Sequence, residues 1–93
     1  MIVGVLTIEL YIPGCNSLKT KRSSVKSIKE RIRSRFNVSV AELYHNDKWQ
    51  RSSIGISIIS NDKVHVEQVI GKITDLIYGD RRVEVIDITR SYY

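Results

Sequence analysis

The chain has 93 residues, 42% of them hydrophobic and 27% charged, which bounds it to one small domain of ordinary soluble composition with little room for a deep cleft. Its single cysteine, Cys15, excludes an internal disulfide, nothing in it resembles a transmembrane run, and the opening MIVGVLTIELYIPG lacks the basic start of a signal peptide. A cytosolic protein of one domain, residues 1–93, is the expectation. The net charge of +5 is unevenly spread. Between Leu18 and Phe36 stand eight basic residues against Glu30, a net of +7, while the rest of the chain is net −2.

Residues 2–12 read as a strand. Ile2, Leu6, Ile8, Leu10 and Ile12 fall on one side, and Val3, Val5, Thr7, Glu9 and Tyr11 on the other. Pro13-Gly14 breaks it. Ser17 is a candidate N-cap for a helix from Leu18 to Phe36, whose apolar stripe is Leu18, Val25, Ile28, Ile32 and Phe36. Asn37 is suited to a left-handed turn at the end of that helix. Val38 to Tyr44 is a second strand, His45 to Lys48 a polar connection, and Trp49 to Ser60 a third strand, with Ile54, Ile56 and Ile58 alternating against Ser53, Gly55 and Ser57. Asn61-Asp62 opens a second helix with the stripe Val66, Val69, Ile70, Ile73, Leu76 and Ile77, which Gly79 ends. Arg82 to about Arg90 is a fourth strand.

Two strand–helix–strand units in succession predict an α+β domain of the ferredoxin-like βαββαβ type. Its sheet has four antiparallel strands, with the first and third in the centre and both helices on one face. The opposite sheet face is then open. Val3, Val5, Tyr11 and Ile59, with Trp49 at a sheet corner, are the candidate contacts for a homodimer or a docked protein on that face. The third strand lacks the aromatic-rich pattern of RNA-recognition motifs, so base stacking there is not expected.

On the first helix, Lys19, Arg22, Lys26, Lys29 and Arg33 fall within about 80° of one another and span roughly 20 Å. Lys21 supports this line from the first turn. Four successive like-charge neighbours oppose the helix by roughly 1–2 kcal/mol at low salt, a strain that a polyanion laid along the flank would relieve. Two other readings stand beside that one. The line is a solvated face with its stems over the core edge, or it pairs with Asp62, Glu67 and Asp75 of the second helix. The first turn holds Lys19 and Lys21 where acids are usual, which a bound phosphate would explain, although Ser17 can serve as a simple cap.

Other groups carry less. Cys15 has no base near it in sequence, and His45, Asp47 and Glu42 match no common metal spacing. Glu42, in an otherwise apolar strand, either projects onto the open face or pairs with a cation such as Arg51. With no nucleophile–base pair and no metal cluster visible, an enzyme is the least expected class, and no cofactor and no small-molecule substrate is implied.

The order and spacing of MIVGV, Pro13, SLKTKR (Ser17 to Arg22), RFNVSVAE (Arg35 to Glu42), WQR (Trp49 to Arg51) and SND (Ser60 to Asp62) resembles the YlxP-like family of small bacterial proteins of unknown function. The resemblance runs over essentially the whole chain. It implies a ferredoxin-like domain, often encoded near genes for translation initiation and ribosome maturation, and offers no catalytic residues. Tyr44 stands where the family pattern suggests an acid. The expectation is therefore an accessory protein that binds RNA or a ribosomal subunit through Lys19, Arg22, Lys26, Lys29 and Arg33. The alternative is a protein-interaction module without a nucleic-acid role.

Overall fold

A computed structural model describes all 93 residues. Strict alternation in β1 (Ile2–Tyr11) buries Leu6, Ile8 and Leu10 and leaves Val3, Val5, Thr7, Glu9 and Tyr11 half-buried on the other side. The chain continues through α1 (Leu18–Arg35), β2 (Ser39–Tyr44), β3 (Arg51–Ser60), α2 (Lys63–Tyr78) and β4 (Glu84–Tyr92). The strand order is β2-β3-β1-β4, all antiparallel, with β1 and β3 central as expected. β1 and β3 pair over their full lengths, from Ile2 opposite Ser60 to Tyr11 opposite Arg51. The ferredoxin-like expectation is met.

One core joins the sheet to the helices. Ile54 and Ile56 of β3 join the β1 residues, Val25, Ile28 and Ile32 come from α1, and Val66, Ile70, Ile73 and Ile77 from α2. Gly4 leaves room for α2 to pack closely on β1, since a Cβ there would run into Val66 Cγ1. Ser17 caps α1 by accepting the Thr20 N–H at 3.1 Å, and Asp62 caps α2 by accepting the Val64 N–H at 3.0 Å. The boundaries differ from expectation in three places. Phe36 leaves α1 in an extended conformation and Asn37 is not left-handed. β3 begins at Arg51, because residues 45–50 form the turn. β4 is shifted to Glu84–Tyr92 by a turn built on Asp80.

A charged pair lies inside this core. Lys21 falls in the apolar stripe of α1, between Leu18 and Val25, and is 0% exposed. Its Nζ stands 2.6 Å from Glu42 Oε2 and donates to the His45 carbonyl at 2.7 Å. Ser52 Oγ donates to the same carboxylate at 2.7 Å. Glu42 pairs with Ile54 across the ladder, on the core side, so it neither faces the open surface nor meets Arg51. Lys21 is thereby removed from the set of surface cations. Of the two lysines in the first turn of α1, this buried partner accounts for Lys21, while Lys19 stays exposed.

A second ion cluster closes the turn after α2. Asp80, buried, accepts the Arg82 backbone N–H and Nε at 3.0 Å and Nη2 at 2.6 Å, and Arg31 Nη1 of α1 lies 3.4 Å away. The Arg82 guanidinium holds the Asp80 carboxyl below its ordinary value of 3.8, against the opposing effect of burial, and Asp80 in return raises Arg82.

Two outcomes follow for stability. Breaking a buried pair strands a charge, so Lys21→Met should cost roughly 3–5 kcal/mol in urea denaturation, and adding Glu42→Leu should recover part of that loss. A double variant no more stable than Lys21→Met alone contradicts the pairing. The second outcome concerns acid. A carboxylate with a depressed folded pKa contributes stability above its unfolded pKa and loses it as pH falls through the folded value. Asp80→Asn should therefore lower the melting temperature at neutral pH and flatten its dependence on pH below about 4. An unchanged acid limb would show that Asp80 does not carry that term.

Candidate nucleic-acid interface

The outer flank of α1 forms one wall of an open groove against β2. Arg22, Lys26, Lys29 and Arg33 line it together with Val25, Glu30 and Glu42, around a volume of about 340 Å³. Four of the expected cations are thus brought together, and Lys19 is exposed one turn earlier on the same flank. Lys26 and Glu30 are 3.9 Å apart with side chains 74% and 60% exposed, a pairing that solvent screens to little. Arg33 Nη2 donates to the Val40 carbonyl at 2.7 Å, which ties the helix to the edge strand and holds this guanidinium in place. Asp62, Glu67 and Asp75 do not neutralise the flank. Asp62 caps α2, Glu67 lies 3.9 Å from Lys63 on its own helix, and Asp75 forms no ion pair.

The other expected features are partly dispersed. On the open face, Val3 lies opposite Ile59 at one end of the central ladder, with Val5 beside them. Tyr11 pairs with Arg51 at the other end, roughly 25 Å away at the rise of a strand, and Trp49 lies beyond it in the β2–β3 connection. These five residues do not make one surface. What sequence reasoning missed is what β2 adds to the middle of the face. Leu43 lies over Gly55, where a Cβ would stand 2.7 Å from Leu43 Cδ1, and a depression of about 280 Å³ is walled by Val5, Thr7, Ala41, Leu43 and Ser57. The signal was present, since Ala41 and Leu43 alternate against Val40 and Glu42.

At the Tyr11 end the face is polar. Glu9 Oε2 meets Arg51 Nη2 and His45 Nε2, each at 3.3 Å. Burial pushes the Glu9 carboxyl up, but the nearby Ser53 hydroxyl, Arg51 and His45 together outweigh it and hold the group below its ordinary value. The Ser53 Oγ is buried and close to Glu9 without forming a full hydrogen bond. His45 is left-handed at φ 68, a conformation that histidine tolerates better than most residues. That geometry aims its carbonyl at Lys21 and its ring at Glu9. Cys15 is buried, its thiol donating to the Ser17 carbonyl at 3.4 Å, and belongs to the core. No three His, Cys, Asp or Glu side chains converge as metal ligands would, and no helix is long and apolar enough to cross a membrane.

Comparison with known proteins agrees with this architecture. The designed protein Foldit4 superposes with a TM-score of 0.59 at 19% identity, covering 98% of this chain and 97% of its own. The structural-genomics protein YJCS superposes with a TM-score of 0.56 at 15% identity, covering 96% of each chain. At these identities the likeness is one of fold. In sequence, the chain is 36% identical over 83 residues to the uncharacterized protein YlxP of Bacillus subtilis (strain 168), covering 89% of this chain and 90% of that protein. Residues 3–90 match the family described as protein of unknown function (DUF503). With a match over nearly its full length, the chain belongs to the DUF503 family.

Proposed function

We propose that the protein is an accessory RNA- or ribosome-binding protein that lays the outer flank of α1 along a phosphate backbone. The observation that carries this reading is the groove in which Arg22, Lys26, Lys29 and Arg33 converge, where Glu30 is a weak, screened counter-ion and Glu42 is engaged by Lys21. Lys19 extends the line, so that five cations span roughly 20 Å, enough for several phosphates. Base-specific readout is not part of the reading, because the groove offers charge and little else. The protein acts as a binder, with no cofactor and no catalysis of its own. If all five cations contact a single strand, log K against log salt should fall with a slope near about −3.5. Arg22→Glu, Lys26→Glu and Lys29→Glu together should abolish binding to single-stranded RNA, and capture of ribosomal subunits from lysate at low salt, with little change in melting temperature. Affinity that ignores salt, or that survives the triple reversal, sinks the proposal.

A second reading has its own support, the apolar depression around Val5, Leu43 and Gly55 on a sheet face that no helix covers. In that reading the protein homodimerises or docks a protein partner there, and the basic helix only steers the encounter. Light scattering at high concentration should give a dimer for the wild type and a monomer for Val5→Lys. A monomer in both samples counts against self-association.

A further inference from the structure

On the opposite side of α1 from the basic groove, a cleft opens where α1 ends and α2 begins. Arg35, Phe36 and Asn37 border it from one side and Ser60, His65 and Lys72 from the other, over a floor of Ile58 and Val69. Its volume, about 380 Å³, lies within the roughly 300–1,000 Å³ typical of small-ligand sites. No carboxylate lines it, whereas the groove on the outer flank includes Glu30 and Glu42. Of the acids near it along the chain, Asp62 is held by the Val64 N–H and Glu67 lies 3.9 Å from Lys63, and neither Arg35 nor Lys72 forms an ion pair. Phe36 packs part of its ring on the core and is only half-buried, so an aromatic surface stands beside two exposed cations and two neutral polar side chains.

Neither a simple anion nor an apolar ligand accounts for that combination. An anion needs the guanidinium and ammonium but not the ring, and an apolar ligand needs the ring but not the charges. A nucleotide uses both.

We propose that this cleft is a nucleotide-binding site, with the phosphate between Arg35 and Lys72 and the base against Phe36. Asn37 and Ser60 supply hydrogen-bonding groups for the base edge or sugar, and His65 closes the phosphate side. The nucleotide comes from one of two sources, free in solution or as an unpaired nucleotide of an RNA strand. The site uses none of the cations of the outer flank and stands independently of the RNA-binding proposal.

The test is a nuclear magnetic resonance titration of isotope-labelled protein with adenosine monophosphate, adenosine and inorganic phosphate, followed by a short single-stranded RNA. Adenosine monophosphate should shift the amides of Phe36, Asn37, Ser60 and Lys72 and bind at least tenfold more tightly than adenosine or phosphate, since stacking and charge act together. Arg35→Ala with Lys72→Ala, both at exposed positions, should remove that binding. Phe36→Leu keeps an apolar side chain on the core and should reduce adenosine monophosphate to the affinity of phosphate alone. The triple reversal at Arg22, Lys26 and Lys29 should leave adenosine monophosphate binding intact. Tighter binding of the RNA at these same amides identifies the strand as the source, and weaker binding identifies the free nucleotide. Equal affinity for phosphate and nucleotide, shifts confined to α1 residues 22–33, or loss of binding in the triple reversal each overturns the site.

Discussion

The ion pair of Lys21 and Glu42 sets the geometry on which the surface depends. Two opposite charges in the core tolerate little misplacement, because any movement that separates them leaves a buried charge unsolvated. Lys21 sits in the apolar stripe of α1 and Glu42 on the core side of β2, with Ser52 and the His45 carbonyl completing their hydrogen bonds. An apolar stripe alone lets a helix rotate by some degrees about its axis at small cost. A charged contact at one defined point removes that freedom. It fixes which flank of α1 faces β2, and therefore that Arg22, Lys26, Lys29 and Arg33 meet along one groove.

His45 links this buried pair to the other side of the sheet. Its backbone serves Lys21 and its ring serves Glu9, so one residue of the β2–β3 turn touches a carboxylate system on each face. Left-handed backbone at a non-glycine residue costs about 1 kcal/mol, and it is held here by contacts at both ends of the residue. The polar end of the open face and the polar heart of the core are parts of one connected arrangement, whereas Val3, Val5 and Ile59 lie far from it at the opposite end of the ladder.

The fold was legible because period-two alternation in β1 and β3 and the stripes of α1 and α2 are strong signals that tertiary packing reinforces. Strand and helix ends were less so, since Trp49 and Gln50 are as compatible with a strand as with the turn they occupy. Of the six cations expected along the flank of α1, helical spacing correctly grouped Arg22, Lys26, Lys29 and Arg33, which line one groove. Lys21 was misjudged by its charge, although the interval Leu18–Lys21–Val25 puts it in the stripe, and Glu42 shares the parity of Val40. Two opposite charges at core positions were the readable sign of a buried pair. The cleft at Phe36 was beyond reach, because it joins the end of α1 to the end of β3 and the start of α2, segments more than twenty residues apart that only the tertiary fold brings together.

The central place of β1 has a bearing on how the molecule comes into being. β1 is the first element along the chain, yet its two neighbours in the sheet are residues 51–60 and 84–92, and Val3 exchanges backbone hydrogen bonds with Tyr93. Half of its hydrogen-bonding capacity stays open until the last strand arrives. Loop closure over such separations is slow relative to local helix formation. During synthesis one edge of the early strand can pair once residues 51–60 exist, and the other must wait, open, until residues 84–92 have been made.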